Sequence, residues 1–249
     1  YGPGIDPESR HGGGRANLSD GKKYKAKDHY EAWLAFMKTY FRGRTERGFF
    51  LEYGAYGYSK HTLNFVDLAQ HDSGDAELSA ILDDFLTLYW AEWAQVSISG
   101  VRGGPKTRHH HTVMKGNGTP DLISFHLGGP ANAGVWWYWN LINDYKLPSI
   151  VWNMALDREG LGCFTYRARG IGEENNELPR PLGTERSLVV DTDARCLKST
   201  YVTPDYTLGT QMDHPSAVHS HLSCSGRWHG MTFSQSAESR IVPVCLPQQ

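Results

Sequence analysis

The sequence predicts an α+β protein in which helices come first and antiparallel strands second. Two observations carry that prediction. Up to Pro148 the apolar residues recur at helical spacing, most clearly from Ala76 to Ser99; beyond Pro148 the segments shorten, turn β-branched and aromatic, and alternate between Gly, Pro and Asp turns. A segregated order of this kind implies two layers or two domains, not an alternating parallel α/β fold. At 249 residues the chain is long enough for one sizeable core or two small ones.

Residues 1–27 are Gly-rich and polar and read as an extended arm. The helical region is expected over 28–147. Asp28 with Glu31 three residues later forms a capping-box pattern, and Tyr30, Trp33, Leu34, Met37 and Phe41 follow at helical spacing until Gly43 ends the run. Ser59 caps a second helix through Leu63, Val66 and Leu68, ending near His71. The third helix carries Leu78, Leu82, Phe85, Tyr89, Trp93 and Val96 on one stripe, widened by Ile81, Leu88 and Trp90, so it is mostly buried, with Gly100 as its stop. A fourth helix is predicted over roughly 131–144, before Pro148. An antiparallel β region is expected over 148–249, from "SIVWNMALD", "GCFTYRARGI", "RSLVVDT", "KSTYVTPDYTLGTQ", "SAVHSHLSC" and "RWHGMTFS".

Charge and cysteine usage narrow the function classes. The net charge is −2, so no global basic field marks a nucleic-acid binder, and any positive site is local. No apolar run approaches the roughly 20 residues of a membrane span, which predicts a soluble chain without membrane insertion. The opening residues lack a methionine and a signal-peptide core, so the chain reads as processed or as a piece of something longer. Cys163, Cys196, Cys224 and Cys245 show no C-x-x-C spacing; free thiols and disulfides both fit, with three pairings open. Asn17 and Asn117 begin glycosylation acceptors, compatible with a secreted or periplasmic protein.

The densest chemistry lies around "SGVRGGPKTRHHHT". Because a short turn joins the second and third helices, they should run antiparallel, bringing "LEYGAYGYSKH" and "GVRGGPKTRHHH" toward one end of the hairpin. Glu52, Tyr53, Tyr56, Tyr58, Lys60 and His61 then face Arg102, Lys106, Arg108 and His109 to His111. Such a cleft suits β-elimination from a uronate, in which a cation neutralises the carboxylate and Tyr or His moves the proton. Alternatively Glu52 serves as one of the two carboxylates of a hydrolase, with Asp144 or Asp157 as its partner. Trp136 and Trp137, within "VWWYWNLI", are candidate stacking surfaces for sugar rings.

A metal is the rival reading for the histidines. His219 and His221 share a strand face, near Cys224 and His229, and define a weak divalent-metal site; no cofactor is otherwise implied. Around the first strands Asp157, Arg158, Tyr166, Arg167 and Arg169 form a polar patch. Tyr166 and Ala168 face one way there, Arg167 and Arg169 the other, with Glu173 and Glu174 available to pair the arginines.

The runs "RGFFLEYGAYGYSKHTLNFVDLAQ", "LDDFLTLYWAEWAQVSISGVRGGPKTR", "LPSIVWNMALDREGLGCFTYRARG", "YVTPDYTLGTQMDHP" and "SGRWHGMTF" resemble large bacterial proteins similar in design to heparinase II/III-like enzymes. That resemblance implies an (α/α) toroid-like region followed by a β-sandwich-like region, and an extracellular polysaccharide as partner. It makes Tyr56, Tyr58 and His61 proton-transfer candidates and Arg102 the carboxylate partner. Four helices are too few for a complete toroid, so the chain is expected to be the middle of such a protein, or to complete itself as a homo-oligomer. The expected function is cleavage of an acidic polysaccharide by elimination or hydrolysis. The alternatives are a non-catalytic glycan-binding or extracellular structural module, and a histidine-based metal-binding protein.

Overall fold

The computed structural model describes residues 25–47, 49, 58–98, 100–105, 126, 143–169, 196–213, 230–236 and 239–241. The expected arm up to residue 24, the fourth helix up to residue 142, "RSLVVDT" and "SAVHSHLSC" lie outside those residues; Ala26 and Lys27, expected in the arm, belong to the first helix, and 143–144, expected to end the fourth helix, are not helical. The described chain holds helices followed by an antiparallel sheet, as the periodicity predicts. Among the described residues, no helix is long and apolar enough to cross a membrane.

Helix α1 spans Ala26–Arg47, starting two residues before the expected cap and running through Gly43. Asp28 sits inside the first turn and accepts from the Lys25 backbone N–H at 2.7 Å, so it supplies the returning half of a capping box. Gly43 does not stop the helix because a single interior glycine costs only about 1 kcal/mol. Burial of Met37, Phe41 and Arg44 on the same helix outweighs that cost. Helix α2 spans Tyr58–Asp72 and α3 Ala76–Val96. Asp75 caps α3 by accepting from the Leu78 backbone N–H at 2.8 Å. Lys38 of α1 reaches Asp75 and Glu77 at 2.8 Å each, tying the two helices at that end.

The helical core gathers on α3. Leu78, Leu82, Phe85, Leu86, Tyr89 and Trp90 are fully buried against Phe41, Leu63 and Val66. Phe41 and Phe85 meet edge to face, 4.9 Å between centroids. With 21 residues against 15, α3 outruns α2 by about 9 Å at 1.5 Å per residue. That projecting end meets the sheet.

Helix α3 ends at Val96, ahead of Gly100, and enters a short hairpin of β1 (Ser97–Ile98) and β2 (Val101–Arg102). Gly100 therefore serves the hairpin turn, with φ +72°, and not the helix terminus. "SIVWNMALD" also departs from expectation: Ser149–Leu156 is helix α4. Its Val, Ile and Trp content reads as strand, but Val151, Met154 and Ala155 fall at i, i+3 and i+4 and pack on the α3 core, so tertiary burial decides. A single turn, α5 (Arg158–Leu161), follows and is capped by Asp157 through the Gly160 N–H at 2.8 Å.

The sheet is a five-stranded antiparallel meander of β3 (Phe164–Arg169), β4 (Cys196–Val202), β5 (Tyr206–Asp213), β6 (Gly230–Phe233) and β7 (Arg240–Ile241). Its inner face carries Val202, Thr200, Thr207 and Thr232, all buried. The hairpin lies against this face at Gly103 and Gly104, where small residues let two backbones approach. A Cβ on Gly209 would sit 2.4 Å from the Gly104 backbone and 2.5 Å from the Pro105 nitrogen. Gly209→Ala is therefore expected to cost about 1–3 kcal/mol by forcing the layers apart. Urea denaturation measures it; an unchanged midpoint would refute the close approach.

Candidate functional site

The junction between helices and sheet holds a buried charged cluster. Glu92 continues the apolar stripe of α3, and its Oε1 accepts from Arg102 Nη2 of β2 at 2.8 Å, both side chains being 4% exposed. Lys198 enters from β4 and is buried too. Tyr166 points inward from β3, as the alternation predicts, while Arg167 is exposed on the other face. Arg158 straps the layers together: its Nη1 donates to the carbonyls of Ala94 and Gln95 at the end of α3, at 3.4 and 3.3 Å, and its Nη2 to the carbonyl of Thr203, in the turn between β4 and β5, at 3.5 Å.

The electrostatics follow from desolvation. Burial pushes the Glu92 carboxyl up to about 7, even with Arg102 and Lys198 holding it down. Burial, and then the Glu92 charge, push the Tyr166 phenol above the ordinary tyrosine range. Burial lowers Arg158 from its ordinary value.

A second polar cluster lies between α2 and α3, and the segment 143–148 closes it. Asn143 Nδ2 donates to Asp67 Oδ1 at 2.5 Å, and the Asp144 N–H donates to Gln70 Oε1 at 3.2 Å. Gln70 Nε2 donates to Asp83 Oδ1 at 3.1 Å, and the Tyr145 and Thr87 hydroxyls meet at 3.2 Å. Asp67 is fully buried, and that burial drives its carboxyl to about 7 against the bond from Asn143. His126 stacks near Trp90 and Tyr145, at 4.7 and 5.9 Å, and burial lowers it to about 4. Tyr145 is pushed up to about 12 by burial.

The residues expected from sequence divide sharply. Arg102, expected to meet a substrate carboxylate, is buried at the junction with the carboxylate of Glu92 of its own chain. His61 is exposed in the second turn of α2, and Tyr58 begins that helix. Glu52, Tyr53, Tyr56, Lys106, Arg108, His109 to His111, Trp136, Trp137, Glu173, Glu174, His219, His221 and His229 lie outside the described residues. Asp157 is the α5 cap, and the Asp144 backbone N–H is bound to Gln70. Cys163 carries an exposed free thiol. Among the described residues no group of three His, Cys, Asp or Glu side chains is arranged to hold a metal ion.

Sequence reasoning passed over Glu92 and Asp67. Both gave a signal: each is a carboxylate placed on the core-facing side of its helix, Glu92 one turn beyond Tyr89 and Asp67 one residue after Val66. No family model matches the chain, and neither does any curated protein or solved structure.

Proposed function

We propose that the chain belongs to a protein that acts on an acidic, uronate-containing polysaccharide, as a lyase or hydrolase, in an (α/α) toroid-like plus β-sandwich-like architecture outside the cell. One observation carries this reading. The helical layer and the sheet close on a charged junction, Pro105 is buried close to Gly209 of the sheet, and the basic run Lys106, Arg108 and His109 to His111 starts at the next residue in sequence. A local positive segment that follows the junction in sequence suits recognition of a carboxylated polymer by a protein of net charge −2. In this reading Tyr58 and His61, with Tyr56, move the proton, and Glu52 acts in their place if the reaction is hydrolysis.

Incubation with a panel of uronate-containing and neutral polysaccharides tests it. New reducing ends together with unsaturated-uronate absorbance are expected for elimination, and reducing ends alone for hydrolysis. Tyr58→Phe or His61→Ala should reduce turnover by about 100-fold or more with binding nearly intact, as for loss of a general acid or base. Full turnover in both variants would remove these residues from the mechanism, and no turnover on any polymer would remove the catalytic reading.

A second reading, a non-catalytic glycan-binding module, is favoured by the engagement of Arg102 with Glu92, which occupies the cation assigned to the uronate carboxylate.

A further inference from the structure

We propose that the outer face of the five-stranded sheet is a binding surface for an acidic glycan, separate from the helix–sheet junction. The strand register sets Thr165, Tyr201, Leu208, Met231 and Ile241 in one row across all five strands. Tyr201, Leu208 and Ile241 are 41%, 44% and 62% exposed, so the row is open where the inner face is sealed. The next row pairs Tyr206 with Phe233. The rings of Tyr201, Tyr206 and Phe233 follow one another at 6.1 and 6.4 Å, tilted by 52° and 56°. Single exposed apolar residues are ordinary; an aligned row crossing a whole sheet is not.

The chemistry of the face selects the occupant. Its rings offer flat apolar surfaces to the C–H faces of sugars, and its hydroxyls, from Tyr201, Tyr206, Thr165 and Ser199, offer hydrogen-bond partners. The charge at its outward positions is positive: Arg167, exposed and paired in register with Ser199, lies in the row beside Tyr201, and no carboxylate occupies an outward position of the described strands. Asp205 lies in the β4–β5 turn, off the strands. A face permanently covered by another protein core would lose its charge and keep its apolar residues. Rings, hydroxyls and one guanidinium together fit a polymer of sugar rings bearing carboxylates, which arginine binds bidentately.

The class of ligand rests on the function proposed above; the surface itself does not. Affinity electrophoresis of the whole chain in gels containing polygalacturonate, alginate or the neutral polymer hydroxyethyl cellulose tests it, with circular dichroism to check folding. Tyr201→Ala is expected to weaken retention about tenfold on whichever polymer binds. Arg167→Gln should weaken retention severalfold on the acidic polymers alone, with the difference shrinking as salt rises. Wild-type retention in both variants, or no retention of the wild type by any of these polymers, overturns the proposal. So does a wild-type dimer that Leu208→Asp converts to monomer, since the face would then join two copies. Turnover measured on the same proteins separates the two ideas: lost retention without any turnover keeps the surface and removes catalysis, while intact turnover with unchanged retention removes the surface alone.

Discussion

Arg102→Met is expected to destabilise the protein by about 3–5 kcal/mol at pH 8, and by much less at pH 5, because it strands a buried carboxylate. At pH 8 Glu92 is largely ionised, its carboxyl standing at about 7, and Arg102 is the cation 2.8 Å from it. Methionine keeps the apolar stem and removes the charge, so the ionised carboxylate must either rely on the attraction of Lys198 alone or take up a proton. Below the carboxyl value the proton is already present and most of the penalty disappears. The double variant Glu92→Leu, Arg102→Met should recover most of the loss at pH 8, since exchanging a whole buried pair for apolar groups is commonly close to neutral. Urea denaturation at both pH values measures this. A small, pH-independent loss in Arg102→Met, together with lost polysaccharide binding, would return Arg102 to the substrate and refute its structural role.

This junction also shows what the sequence could and could not convey. The stripe from Leu78 to Val96 identifies α3 as the buried centre of the helical layer because a 3.6-residue period is a local property. The strands from Phe164 to Asp213 are equally legible, since alternation and the Pro-Asp turn between Val202 and Tyr206 are local too. Ser149–Leu156 is not: its composition favours a strand, and only packing on the α3 core, far earlier in the chain, makes it a helix. The partner of Arg102 is hidden for a related reason. Arg102 sits in a basic, glycine-rich run that reads as a substrate-facing loop, and the hairpin that folds it back onto Glu92 depends on two strands of two residues each. The cluster around Asp67 needs three separate segments, so spacing within α2 shows a carboxylate on the core side but neither the Asn143 amide that meets it nor the Tyr145 phenol that meets Thr87 beside it.

Asp67→Asn is expected to stabilise the protein at pH 8 by about 2–4 kcal/mol and to leave it unchanged near pH 4, the size following from a carboxyl raised by roughly three pH units. Burial raises Asp67 from its ordinary 3.8 to about 7, so between those values the folded state holds a proton that the unfolded state releases. The stability tied to that proton is fully present below the ordinary value and is lost as pH rises through about 7. Glu92, raised from 4.5 to about 7, acts with the same sign. His126 acts with the opposite one: lowered from 6.5 to about 4, it contributes above 6.5 and loses that contribution as pH falls. With two carboxyls against one imidazole, wild-type stability should decline from pH 4.5 to 7. The asparagine amide oxygen can accept the bond from Asn143 Nδ2 as the protonated carboxyl does, so the variant keeps the contact and loses the titration. Comparing wild type and variant at each pH cancels Glu92 and His126 and isolates Asp67. Parallel curves, or a variant less stable at pH 8, would mean that Asp67 is ionised in the folded protein and that the seam between α2 and α3 is held by its charge.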